Sequence, residues 1–153
     1  MKDLSSFANQ LQVYMGRLLA IDYGIKRVGI AVTDPDQIIA NSLTVTDSSR
    51  TLDFLREYMS HETVDAIIIG EPKTMNNRPS EVEPAIAGFI QRLRKAFPTL
   101  EIHRFDERFT SKMAFQTMID SGIGRKARQN KSLVDAISAT IILQSYMESI
   151  KKY

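Results

Sequence analysis

A single α/β domain on a mixed five-stranded sheet is the fold this sequence predicts, and three observations carry that expectation. Short apolar runs joined by tight polar links fill residues 17–45, the pattern of a three-strand antiparallel meander. Two further strand-like runs, VDAIIIG and LEIHRF, each follow a stretch with apolar residues at helical spacing. Strands that alternate with helices pair in parallel through right-handed crossovers, so two parallel strands join the meander and helices cover the faces.

Residues 1–15 are polar and weakly patterned, and they read as an extension ahead of a domain spanning 16–153. LLAI before Asp22 is too short for a helix and is bounded by DYG, so it reads as a buried strand. VGIAVT at 28–33 is a second strand across a hairpin link, and Gly29 within it marks a bulge or a close backbone approach. DPDQ turns the chain, with Pro35 after Asp34, into a third strand over 38–45. A helix is expected over 49–60, with Leu52, Leu55 and Met59 on one face, and a doubly buried strand over 64–70. Ser80 and Glu83 stand at capping-box spacing, and Val82, Ala85, Ile86, Phe89, Ile90 and Leu93 then recur at helical spacing. Pro98 ends that helix and 100–105 alternates as a strand. Thr110 or Ser111 caps a further helix to Gly122, and a final long helix runs from 132 to about 150.

Composition removes several classes of function. The 153 residues, 43% of them hydrophobic, support one core of ordinary size. Twenty Lys and Arg stand against 18 acids, a net charge of +2, so a polyanionic partner would have to be met by local clusters of charge. The absence of cysteine excludes disulfides, thiolate-held zinc and a cysteine nucleophile. No apolar run approaches the ~20 residues of a membrane span. MKDLSSFANQLQVY lacks the basic start and apolar centre of a secretory signal, so a cytoplasmic protein without membrane attachment is expected. Of the two histidines, His61 falls in a helix-to-strand loop, and His103 sits inside an alternating strand and reads as structural.

Three carboxylates remain as candidates for chemistry. Asp22 follows a run of buried aliphatics, where an ionised acid needs a partner, a cation or water. Glu107, in FDERFTS, lies at the carboxyl end of a predicted strand, where open α/β sheets place ligands. Asp135, in KSLVDAISATIILQ, falls in the first turn expected for the last helix, where the dipole favours an acid. Ala136, Ser138 and Ala139 would let that helix approach the strand of Asp22 closely. Taken singly, each acid has a plainer role as a turn former, a surface charge or a helix initiator. Together they suggest a shared site for Mg²⁺ or Mn²⁺, ions that prefer carboxylate oxygen and keep room for water and phosphate. Two such ions about 4 Å apart can activate water and stabilise the leaving oxygen of a phosphodiester. Glu71, at another strand end, is a possible fourth ligand or an exposed loop acid.

Basic residues border these acids in the sequence. Arg125, Lys126, Arg128 and Lys131 form a loop at 124–131 without an acid, leading into the helix of Asp135. Lys26 and Arg27 follow Asp22 closely. Such groups hold phosphates without reading sequence, so nucleic acid is the expected partner.

RLLAIDYGIKRVGIAVTD, IIIGEPKTMNN, FDERFTSKMAF and KSLVDAISATIILQSYM, in that order, resemble the YqgF (RuvX) family of ribonuclease-H-like nucleases, and the resemblance covers nearly all of residues 16–150. It implies an RNase H-like fold and a cytoplasmic bacterial nuclease that processes the 5′ end of precursor 16S rRNA in ribosome biogenesis. Holliday-junction resolution is the older inference from fold kinship. Carried over by position, the family's acids fall on Asp22, Glu107 and Asp135, and its basic stretch on Arg125 to Lys131. Glu71 departs from the family pattern, which has an aliphatic residue between the Gly and the Pro.

Two other functions compete. A nucleic-acid-binding or ribosome-assembly factor could carry the same fold with inert acids. An actin-like or sugar-kinase ATPase, prompted by DYG, needs two domains to close over its nucleotide, and the chain is too short for both. RNA against DNA, and monomer against homodimer, are left open by the sequence.

Overall fold

The computed structural model describes residues 16–74, 76, 78–110, 116 and 131–151, with side chains of the last stretch from residue 134 onward. The expected extension at 1–15, the helix expected from Thr110 or Ser111 to Gly122, and the basic loop with Arg125, Lys126 and Arg128 lie outside the described residues. Gln116 within that span is helical.

Strands β1 (Arg17–Tyr23), β2 (Arg27–Thr33) and β3 (Ala40–Asp47) form the antiparallel meander. A 3-10 turn at Ser48–Arg50 leads into helix α1 (Thr51–His61), then β4 (Val64–Glu71), α2 (Glu83–Ala96) and β5 (Glu101–Asp106). A second 3-10 turn, Glu107–Phe109, follows β5, and α3 spans Lys131–Ile150. The sheet order is β3-β2-β1-β4-β5, with β4 parallel to both β1 and β5. This is the mixed five-stranded sheet that the alternation of patterns predicts.

Period-two alternation divides the core. Leu19, Ile21 and Tyr23 of β1 join Val28, Ile30, Ile67 and Ile69 beneath α1 and α2, where Leu55, Ile86, Phe89 and Leu93 are buried. Leu18 and Ala20 join Ala31, Ala66 and Ile68 on the opposite face beneath α3, against Ala139, Ile142 and Leu143. Small side chains on that second face bring α3 close to the sheet.

Three local expectations need correction. Helix α2 begins at Glu83, with Val82 as its N-cap and no side-chain cap, so the Ser80–Glu83 capping box does not form. The Glu83 carboxylate instead takes Arg104 at 2.7 and 3.1 Å, because a guanidinium from β5 offers two charge-assisted bonds. The third strand is displaced to Ala40–Asp47, since Asp34 accepts the amides of Ile38 and Ile39 and keeps both in the turn. Helix α3 is already running at Lys131, so Asp135 lies beyond its first turn and loses most of the expected dipole benefit.

Candidate active site

Strand register assembles the site. Asp22 pairs with Gly29 across β1 and β2, and Ile21 pairs with Ile69 across β1 and β4. Continuing that register by one residue sets Gly70 beside Asp22, so Gly29, Asp22 and Gly70 form one row across three strands. Because Leu18 and Ala20 face α3, the alternation sends Asp22 to the same face.

Each glycine makes room for one of the other acids. A Cβ on Gly29 would overlap the main-chain carbonyl of Asp135, so α3 crosses β2 by direct backbone approach there. A Cβ on Gly70 would stand 3.2 Å from the carboxyl carbon of Glu107 and 2.8 Å from Cδ1 of Ile142. Asp22 thus sits between the two positions from which Asp135 and Glu107 arrive. The expected close approach of α3 is real: Ala139 packs on the strand of Asp22 through Leu18 and Ala20, and the tightest backbone contact falls on Gly29 of the neighbouring strand.

Local chemistry in the DER segment singles out Glu107. Asp106 accepts the backbone amide of Arg108 at 3.0 Å and its guanidinium at 2.7 Å. That pairing holds the Asp106 carboxyl down to about 2. With its two neighbours engaged with each other, Glu107 folds back over Gly70. Glu71 is on the opposite face, alternating with Gly70, and meets Lys73 at 3.2 Å and Arg104 at 3.9 Å. It is half-buried and neutralised by cations, apart from the row that holds Asp22.

Asp22 and Glu107 form no such ion pair among the described residues. Burial, then the charge of Asp135, pushes the Asp22 carboxyl up to about 6. Burial, then the charge of Asp22, pushes Glu107 up to about 7, while Arg104 pulls it partly back. Neither carboxylate takes a hydrogen bond or an ion pair from another described residue. Asp135 does have a partner: Nε of Arg27 lies 3.1 Å from its Oδ2. Sequence reasoning placed Arg27 at a phosphate, and the structure places its guanidinium on a carboxylate. Lys26 is exposed on the hairpin, whose link Ser48 ties down through the carbonyls of Ile25 and Lys26.

Among the described residues no three ligating side chains close around a common point as a finished metal cage. The donor chemistry nonetheless fits a hard divalent ion: two half-buried carboxylates repel one another with only partial compensation from Arg104, and a third is held by an arginine. His103 is not part of the group. It contacts Glu101 at 2.9 Å and packs near Tyr146, as a structural residue would. Arg104 is a residue that sequence reasoning missed, because nothing in LEIHRF marks which polar position reaches Glu83 and the end of β4 on the face opposite Asp22. Beside Arg27 opens a cleft of about 760 Å³, lined also by Asp47, Arg50, Asp53, Phe54 and Glu57.

Comparison with known proteins identifies the family and the fold. The profile of the RuvX family, described as Holliday junction resolvase, matches residues 16–149. A Flavobacterium johnsoniae protein named "Putative pre-16S rRNA nuclease" is 56% identical over 135 residues, covering 88% of this chain and 98% of the relative. A Phocaeicola vulgatus protein of the same name is 56% identical over 139 residues, covering 91% and 99%. Among solved structures, Thermus thermophilus RuvC in complex with a Holliday junction superposes with a TM-score of 0.55 at 16% identity, covering 89% of this chain and 97% of RuvC. That likeness shows the RNase H-like fold. No helix among the described residues is long and apolar enough to cross a membrane.

Proposed function

The chain belongs to the RuvX family, whose curated relatives bear a nuclease name, and on that premise we propose a metal-dependent endonuclease that cuts structured RNA at the 5′ end of precursor 16S rRNA. The observation that carries metal dependence is the pair of half-buried, mutually repelling carboxylates, Asp22 and Glu107, neither of them in an ion pair with a described residue. Burying like charges side by side is costly unless a counter-charge of another kind is meant to sit there.

Asp22, Glu107 and Asp135 would hold Mg²⁺ or Mn²⁺. Bound there, the ions supply an activated water and stabilise the leaving oxygen of a phosphodiester. Asp22 sits centrally, fixed by a strand paired on both sides, so its carboxylate is preorganised. Glu107 arrives on the turn after β5 and is steered by Gly70 and Arg104. Asp135 is supplied by α3, pinned to β2 through Gly29. Lys26, Arg125, Lys126, Arg128 and Lys131 are the residues to grip the phosphates of the bound strand, and Arg27 borders the same surface. A working cytoplasmic enzyme, as monomer or homodimer, follows from this function.

The test is cleavage of a precursor 16S rRNA 5′ leader by the full chain with Mg²⁺ or Mn²⁺, beside a four-way DNA junction. Loss of cutting in Asp22→Asn and on chelation is the expected result. Cutting of the junction alone would make the protein a DNA resolvase. Salt-sensitive RNA binding without cutting, indifferent to Asp135→Asn, would make it a binding factor.

A further inference from the structure

Of the three acids, Asp135 alone is engaged by a described cation. Arg27 opens β2, and its guanidinium reaches across to α3 to meet Oδ2 of Asp135 at 3.1 Å, with 35% and 27% of the two side chains exposed. So open an ion pair is screened by water and salt and is held weakly. The arginine also has somewhere else to go. Its cross-strand partner in β3 is Asp47, an exposed acid, and both line the cleft that Asp53 and Glu57 also border. Arg27 thus holds one acid of the candidate metal site, while the cleft it lines carries other acids, Asp47 across the strand pair and Asp53 and Glu57 on α1, together with Arg50.

We propose that Arg27 is a displaceable clamp: it occupies Asp135 until a divalent cation claims that carboxylate, then turns toward the acids of the neighbouring cleft. Arg27 is thus a positioning residue that sets the metal affinity of the site from outside the ligand set. The proposal rests on the carboxylate–metal function above. It also accounts for the unfinished cage, because the third ligand is held by the arginine rather than by the other two acids. A divalent ion and a guanidinium compete for the same oxygen, so removing the competitor must tighten the ion.

The experiment is calorimetric titration of the full chain with Mn²⁺ alone, without nucleic acid, in the parent, Arg27→Met and Arg27→Lys. Met keeps the apolar stem and removes the charge, and Lys keeps a charge without the planar fork. Arg27→Met is expected to bind Mn²⁺ about two- to fivefold more tightly than the parent, the range set by the strength of a partly exposed ion pair. Arg27→Lys is expected to fall between the two. Equal or weaker binding in Arg27→Met, with the parent binding normally, overturns the clamp and leaves the metal-dependent function standing. No Mn²⁺ binding by any of the three overturns both. Binding that appears only in Arg27→Met supports the clamp most strongly.

Discussion

Gly29 lies directly against the main chain of Asp135. A Cβ there would overlap the Asp135 carbonyl oxygen and stand 3.2 Å from the Ala136 nitrogen. Since Gly29 is also the cross-strand partner of Asp22, one missing side chain sets how near two candidate ligands come.

The first prediction concerns that contact. Backbone cannot swing aside as a side-chain tip can, so Gly29→Ala must push α3 off the sheet. The cost of such overpacking is about 1–3 kcal/mol, read as a lower midpoint in urea unfolding. Misplacing Asp135 by about an ångström should lower cleavage roughly a hundredfold. Unchanged cutting in a folded Gly29→Ala protein would show that the approach of α3 is not needed. Gly70→Ala should lose less stability than Gly29→Ala, because the atoms nearest its Cβ are side-chain ends, Ile142 Cδ1 at 2.8 Å and the Glu107 carboxyl carbon at 3.2 Å.

Much of this arrangement is legible in the sequence. Aliphatic runs, turn residues and helical spacing fix five strands in their order, and a glycine inside VGIAVT announces a close approach. Pairings made across the fold are not legible. Glu83 matches a local capping box, yet it serves Arg104, 21 residues away, because a bidentate guanidinium outcompetes a backbone amide. Arg27 reads as a phosphate-binding group for a like reason: its partner Asp135 is 108 residues distant. Which face a strand-end acid such as Glu71 takes depends on strand register, which no single segment encodes.

Removing a candidate ligand should stabilise the metal-free protein. Asp22 and Glu107 carry folded-state pKa values of about 6 and about 7, above those of an unfolded chain. Between about pH 4 and 7 the folded state therefore binds more protons than the unfolded state, and these two groups make stability fall as pH rises through that window. In chelator, Asp22→Asn should exceed the parent by about 1–2 kcal/mol at pH 7.5, since a pKa unit is worth about 1.4 kcal/mol and part of the shift is shared with neighbouring acids. At pH 5 the gap should shrink, and cleavage should be lost at every pH. Thermal melts at the two pH values check this, and a variant less stable than the parent at pH 7.5 would contradict it.

Metal binding should release protons. Near pH 6.5 the two carboxyls together hold about one proton that a divalent ion must displace. Mn²⁺ affinity should therefore climb from pH 5.5 to 7.5 and level off above it. The binding heat should differ between two buffers of unlike ionisation enthalpy at pH 6.5. Buffer-independent heat would mean that the ion binds elsewhere.

Arg104 supports the site from the other side of the sheet. It meets Glu83 through two bonds of 2.7 and 3.1 Å and donates to the carbonyls of Ile69 at 3.3 Å and Gly70 at 3.0 Å. It therefore ties β5 to the end of β4 and to the start of α2, beneath the glycine that Glu107 covers. Its charge also opposes the rise in the Glu107 pKa. Arg104→Met leaves the Glu83 carboxylate and two strand-end carbonyls without their donor, a loss of about 2–4 kcal/mol in urea unfolding. Arg104→Lys should recover little of it, because an ammonium cannot make the forked contact. With Arg104 gone, Glu107 should hold its proton to higher pH, and the alkaline shift should appear in the Mn²⁺-binding profile of Arg104→Lys less than in that of Arg104→Met. Equal profiles in the parent and Arg104→Met would show that Arg104 braces the strands without acting on the acid above them.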